Sequence, residues 1–142
     1  MSLKIHVSEE IERPIAVVFK FWAEDHVRNH PRWDPYIELR LDSDAPIGVG
    51  TVIRRRNSRS GTPVEGTMEV VEYEPNRAIG MLTRDGPMEI PSRATFESLG
   101  PDLTRLTLDV EMKGMDDSMQ GFMTGAVQQG LRTVKELMEA ET

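Results

Sequence analysis

Two of the three histidines in the chain, His26 and His30, stand four residues apart in "HVRNHPRWD", with Asp25 and Asp34 close by. On a helix that spacing puts both imidazoles on one face, as a metal site would need. Two nitrogens are too few, and no third nitrogen ligand is near in sequence, because His6 belongs to the opening segment. Pro31 follows His30 directly and pushes the residue before it out of the helical region. A short helix over residues 24 to 30 is therefore expected to stop there, with the His30 ring on a fraying end. No metal and no cofactor are expected.

The second cluster able to do chemistry is "RRRNSR", residues 54 to 59. These arginines are either solvent-facing charges on a strand and its turn, or one of them points inward to meet an anionic ligand group. No Ser-His-Asp set, phosphate loop or nucleotide fingerprint accompanies them, so catalytic residues stay unassigned. The absence of cysteine removes disulfides, thiolate metal sites and cysteine nucleophiles together, and makes the cytoplasm the default location.

The bulk properties narrow the partners. A net charge of -7 opposes broad binding to nucleic acid. With 38% apolar and 29% charged residues the chain reads as globular. No apolar run approaches the ~20 residues of a membrane span, and no signal-peptide pattern opens the chain. A length of 142 residues suits one domain, residues 1–142.

The elements that must position these residues follow from periodicity. "LKIHVSEEIE" alternates Ile5, Val7 and Ile11 with polar neighbours, which predicts a strand with one buried face. Pro14 suits the first turn of a helix, and Ile15, Val18, Phe19 and Trp22 continue it as one apolar stripe. From Tyr36 the chain predicts a run of strands separated by turns at Gly48/Gly50, "SGTP", Pro75-Asn76, "DGP" and Gly100-Pro101-Asp102. About seven antiparallel strands result. After Gly114, with Asp116 or Asp117 as cap, an apolar stripe from Met119 to Met138 predicts a helix of about 25 residues. An α+β fold, one sheet with helices packed on one face, is the expected outcome.

The final helix carries Gly121, Gly125 and Gly130, each costing ~1 kcal/mol relative to alanine. They imply close packing on the sheet, room for a ligand, or a half-helix able to flex. Met68, Met81, Met88, Met112, Met115, Met119 and Met123 cluster from the middle of the chain onward. Methionine suits surfaces that adapt to varied apolar guests, and it also fills ordinary cores.

"IERPIAVVFKFWAEDHVRNHPRWDPYIELRL", "GVGTVIRRR" and "VVEYEPNRAIGMLT" together resemble the START-like (SRPBCC) superfamily, in particular its polyketide cyclase/dehydrase and lipid-transport group. The matching positions are Val18-Phe19 in the first helix and the segment Trp33, Pro35, Tyr36. Gly48, Gly50 and Thr51 match the Gly-x-Gly-Thr turn, and Glu72 through Pro75 the Glu-Tyr-Glu-Pro turn. The resemblance spans nearly the whole chain. It implies the helix-grip (Bet v 1-like) fold: a curved antiparallel sheet, two short helices after strand 1, and a long C-terminal helix. It also implies that the segment before Trp33 forms a pocket rim rather than a metal site.

Strand parity then assigns the inward faces. Leu106, Leu108, Val110 and Met112 form one set, Ala94 and Phe96 a second, and Ile79, Met81 and Thr83 a third. The doublet Val70-Val71 breaks the alternation, and a bulge there brings Met68, Val70 and Tyr73 inward. In "GTVIRRRN" parity leaves two faces open, Val52, Arg54 and Arg56 or Ile53, Arg55 and Asn57. The resemblance, through the spacing from the Gly-x-Gly turn, implies Ile53 and Arg55 inward, and a buried Arg55 would need a carboxylate or a ligand anion. The expected ligand-contacting set is Trp33, Arg55, Met68, Tyr73, Met81, Phe96, Met119, Phe122 and Met123.

Three functions fit. The first is a carrier or sensor of a small hydrophobic or aromatic ligand held between sheet and final helix. The second is a polyketide cyclase or dehydratase that folds its substrate in a shaped cavity, which an inward acid such as Glu69 would favour. The third is a co-chaperone-like interaction module. The expected partners are a small hydrophobic molecule and, at most, a second copy of the chain in a homodimer.

Overall fold

Apolar residues at alternate positions produce β1 (Ser2–Ile11), whose Leu3, Ile5, Val7 and Ile11 are buried. The computed structural model describes residues 2–141. Pro14 stands at the N-cap of α1 (Ile15–Phe19), which runs into a π-helical turn over Lys20–Glu24. There the Asp25 N–H reaches back five residues to the Lys20 carbonyl at 2.9 Å. A second helix, α2 (His26–Trp33), follows.

Pro31 does not stop α2: the helix carries it inside and continues to Trp33. Proline cannot donate to the preceding turn, yet the next bond closes normally, from the Asp34 N–H to the His30 carbonyl at 3.1 Å. Trp33 is held by aromatic neighbours on both faces, and that packing overrides the local preference. His30 is accordingly fixed within the helix rather than fraying.

The strands β2 (Ile37–Arg40), β3 (Val52–Asn57), β4 (Val64–Glu74), β5 (Ala78–Asp85), β6 (Met88–Gly100) and β7 (Leu103–Lys113) complete the framework. They form one seven-stranded sheet in the order β1-β7-β6-β5-β4-β3-β2, with every neighbouring pair antiparallel. The bulge expected at Val70-Val71 is present as a register shift between Val70 and Glu72. It buries Met68 and Val70, half-buries Tyr73 and leaves Val71 exposed. In β3, Ile53 is buried and Arg55 half-buried, so of the two faces that parity leaves open the inward one is that implied by the resemblance.

A short 3-10 turn (Asp117–Met119), capped by the Asp116 carboxylate on the Ser118 N–H at 2.8 Å, leads into α3 (Gln120–Ala140). This helix has 21 residues, fewer than the apolar stripe predicts. It lies along β1 and covers that edge. The Lys4, Ser8 and Glu10 carbonyls, pointing away from β7, accept from Gln120, Gln128 and Lys135 of α3. An edge strand left bare would be a template for unwanted pairing.

The two halves of α3 are held differently. Its fully buried residues, Leu131, Val134 and Met138, all lie in the second half. Arg13 also caps that end, donating to the Glu139 and Glu141 carbonyls at 2.6 and 2.8 Å. In the first half, a side chain at Gly121 or Gly125 would meet nothing within 4 Å. Close packing is therefore not the reason for those two glycines.

Gly66 on β4 has a tighter role. It lies directly between Arg55 of β3 and Asp85 of β5 in the sheet register. A methyl group there would sit 1.9 Å from the Arg84 carbonyl oxygen and 2.9 Å from the Asp85 carboxylate. Gly66→Ala is expected to destabilise the fold by about 2 kcal/mol through overpacking, measured by urea unfolding.

Candidate functional site

The inner face of the sheet, opposite α3 and the two short helices, gathers most of the residues singled out in the sequence. Phe19 of α1 is at its centre, edge-on to Tyr73 at 5.4 Å and to Phe96 at 5.1 Å between ring centroids. Met68 and Met81 are buried beside them in the same core, and Met123 of α3 packs half-buried against it. Leu39, Leu41, Ile90, Leu108, Met115 and Val127 also line this face while only partly covered. Within α3 the apolar residues of the first half that meet the core, Met123 and Val127, are only half-buried.

Met119 and Phe122 are not brought into this group. Met119 sits in the 3-10 turn and is 38% exposed, while Phe122 is 71% exposed. In a helix the inner stripe runs through Met123, Val127, Leu131 and Val134, and Phe122 lies about 100° round from Met123 on the solvent flank.

Arg55 reaches across Gly66 to Asp85 in a two-pronged ion pair, Nε to Oδ1 at 2.8 Å and Nη2 to Oδ2 at 3.0 Å. Asn57 donates to the same carboxylate at 3.1 Å, and Arg55 Nη1 touches the Met68 sulfur at 3.8 Å. The partner required by an inward arginine is thus a carboxylate from the protein itself. Sequence reasoning misses Asp85 because "DGP" reads as a turn. Extending the Ile79, Met81, Thr83 parity by one step places Asp85 on the inner face.

Glu69 lies outside this group, half-buried with an Arg84 guanidinium nitrogen 3.6 Å away. The inner face therefore gains no carboxylate from β4.

On the helical side, Trp33 is sandwiched between Trp22 and His30, with centroid separations of 4.9 Å on each side and rings 12° and 10° from parallel. His26 is buried, with its Nδ1 2.7 Å from the Trp22 carbonyl and its Nε2 2.9 Å from His30 Nδ1. Burial lowers the His26 pKa from 6.5 to about 4, against the opposing effect of its hydrogen bond to the Trp22 carbonyl. Burial also holds His30 well below its ordinary value, reinforced by His26, Arg55 and Arg59. Both rings are neutral at neutral pH. Sequence reasoning puts Trp22 on the apolar stripe but misses the histidine pair as interior groups, although their i, i+4 spacing is the available signal.

The phenol of Tyr73 is raised above its ordinary value by burial and by the Glu24 carboxylate, so it is a donor at neutral pH. Among the described residues no three His, Asp or Glu side chains converge as metal ligands. No helix among them is long and apolar enough to cross a membrane.

The outer face of the sheet carries two open grooves. One, of about 450 Å³, is walled by Glu74, Arg77, Arg93, Glu97 and Arg105. The other, of about 300 Å³, lies between Lys4, His6, Pro91 and Glu111. Their charges are largely paired: Arg93 spans Gly80 to bind Glu72 at 2.7 Å, and Arg105 binds Glu97 at 2.9 Å. The first groove is open and polar with its charges largely paired, and the second is open and lined more by apolar groups, Ile5, Pro91 and Val110 among them.

Solved structures share this architecture at low sequence identity. Ara h 8.0201 superposes with a TM-score of 0.76 at 11% identity, covering 99% of this chain and 100% of that one. CV1439 from Chromobacterium violaceum gives 0.75 at 16%, covering 98% and 99%. The Zhui aromatase/cyclase from Streptomyces sp. R1128 gives 0.73 at 14%, covering 98% and 94%. No curated protein sequence matches the chain. The family model for polyketide cyclase / dehydrase and lipid transport matches residues 2–139, and the chain belongs to that family.

Proposed function

We infer that the protein binds a small hydrophobic or aromatic molecule between the inner face of the sheet and the first half of α3, as a carrier or sensor. The observation that carries this reading is the contrast within α3: one half is anchored by Leu131, Val134, Met138 and Arg13, while the apolar residues of the other, Met123 and Val127, are only half-buried. A helix weakened by two unpacked glycines is a natural place for a guest to enter. The residues expected to touch it are Trp33, Arg55, Met68, Tyr73, Met81, Phe96 and Met123. Met119 and Phe122 guard the entrance from the solvent side. Lack of cysteine suits a cytoplasmic protein, one domain over residues 1–142, whose partner is the small molecule itself.

Native mass spectrometry of protein purified from its own host tests this directly. A co-purifying apolar or aromatic compound supports the carrier. An empty protein that also fails to take up a hydrophobic fluorescent probe contradicts it. The glycines provide a second test. Gly121→Ala/Gly125→Ala is expected to stabilise the helix by ~1 kcal/mol per site, with no clash, and to slow probe uptake. Stopped-flow fluorescence reads the rate. Faster or unchanged uptake would mean that the guest enters elsewhere.

A second reading, a cyclase or dehydratase, draws on the family and on the protonated Tyr73 phenol at the inner face. Tyr73→Phe separates the two: binding is kept in both cases, while turnover of a polyketide-like substrate falls only in an enzyme.

A further inference from the structure

The hydrogen pattern of the histidine pair is fixed by its first acceptor. The Trp22 carbonyl can only accept, so His26 Nδ1 carries the ring proton and His26 Nε2 holds a lone pair. His30 Nδ1, 2.9 Å from that lone pair, must donate to it. The relay therefore ends on an unprotonated His30 Nε2. That nitrogen bonds to nothing within the described residues, yet it is not a sealed orphan. Every fully buried side-chain nitrogen and oxygen among them has a partner, so the unpartnered His30 Nε2 keeps accessible surface on a half-buried residue. Its stacking partner Trp33 faces α3, where a methyl group at Gly130 would stand 3.8 Å from the indole, so the His30 ring belongs to the α3 side of the core. Arg55 and Arg59 are the cations that act on it.

The groups around it define a neutral surface. The forked edge of Arg55 is occupied by Asp85, and Arg59 is bound to Asp34 at 2.5 Å. A carboxylate guest would find no free cation there. A pure hydrocarbon would leave the His30 lone pair without a donor, which costs affinity. A neutral aromatic ring with one acidic hydroxyl satisfies both conditions, since an acidic O–H is a strong donor to imidazole.

We propose that His30 Nε2 is the polar anchor of the inner-face site and accepts the O–H of a neutral phenol- or enol-type guest. His26 holds the tautomer and the Trp22–Trp33 stack holds the ring plane, so His26 and Trp33 are positioning residues. The inference rests on the ligand-binding reading above and adds the chemical class of the ligand.

The test compares 2-naphthol, naphthalene and 2-naphthoate by calorimetry on the full chain. In the wild type 2-naphthol is expected to bind about tenfold more tightly than either of the others. His30→Phe keeps a ring against Trp33 and should abolish the preference while retaining naphthalene. His30→Gln, with both a donor and an acceptor, should restore part of it. Nitrogen-15 spectra of the wild type add a readout independent of variant folding. Both Nε2 atoms should resonate as unprotonated, and only that of His30 should shift when 2-naphthol is added. Equal affinity for the three compounds, or an unmoved His30 Nε2, overturns the anchor and leaves the apolar site standing. Failure of all three to bind overturns the ligand-binding reading itself.

Discussion

Asp85→Ala is expected to lower the free energy of unfolding by about 3–5 kcal/mol. Arg55 and Asp85 are only 11% and 10% exposed, so solvent screens their pairing little. Removing the carboxylate strands a guanidinium on an apolar inner face, beside the Met68 sulfur and the Asn57 amide that shared its carboxylate. Asn57 donates rather than accepts, so it offers no compensation through its amide nitrogen. Urea unfolding gives the loss directly. Replacing both partners by apolar residues, Arg55→Met/Asp85→Leu, should recover most of it, because the desolvation cost disappears with the charges. A loss below about 1 kcal/mol for Asp85→Ala alone would mean that the pair behaves as a surface bridge, and the inner-face position of Arg55 would fall with it.

Acid should destabilise the fold well before the carboxylates titrate. His26 has a folded pKa of about 4 against an ordinary value of 6.5. Below pH 6.5 the unfolded chain takes up a proton that the folded protein refuses, so stability falls as the pH drops toward 4. The gap corresponds to about 3 kcal/mol, and His30 adds to it in the same direction. Asp42, Glu72, Asp116 and Glu139 are shifted below their ordinary values, so their contribution appears at lower pH. The slope between pH 6.5 and 5 therefore belongs to the histidine pair. His26→Gln/His30→Gln should flatten it. A wild-type protein equally stable at pH 7 and pH 5 would show that the pair charges freely, in contact with water.

Periodicity makes the sheet legible. The alternation in β1 and β7 names the buried residues, and the Val70-Val71 doublet locates the bulge. Physical necessity reaches further at Arg55, since an arginine on an apolar inner face demands a counter-charge. The identity of that counter-charge is hidden, because Asp85 ends a strand just where a turn signal begins. The helical side is less legible. A proline rule that holds in isolation fails at Pro31, where the Trp22–Trp33–His30 stack outweighs a missing hydrogen bond. That stack joins residues from a π-helical turn and a separate helix, and no window of one period spans both. Phe122 shows the opposite limit: composition marks it as apolar, but only the helix phase shows that it faces water.

The nine methionines supply the most direct test of the inner-face site. Carbon-13 methyl spectra of methionine-labelled protein would be recorded as 2-naphthol is added. Met68, Met81 and Met123 should shift and show contacts to the guest, while Met119 responds weakly on the solvent side. Shifts confined to Met119, or none at saturating guest, would contradict a ligand site between the sheet and α3.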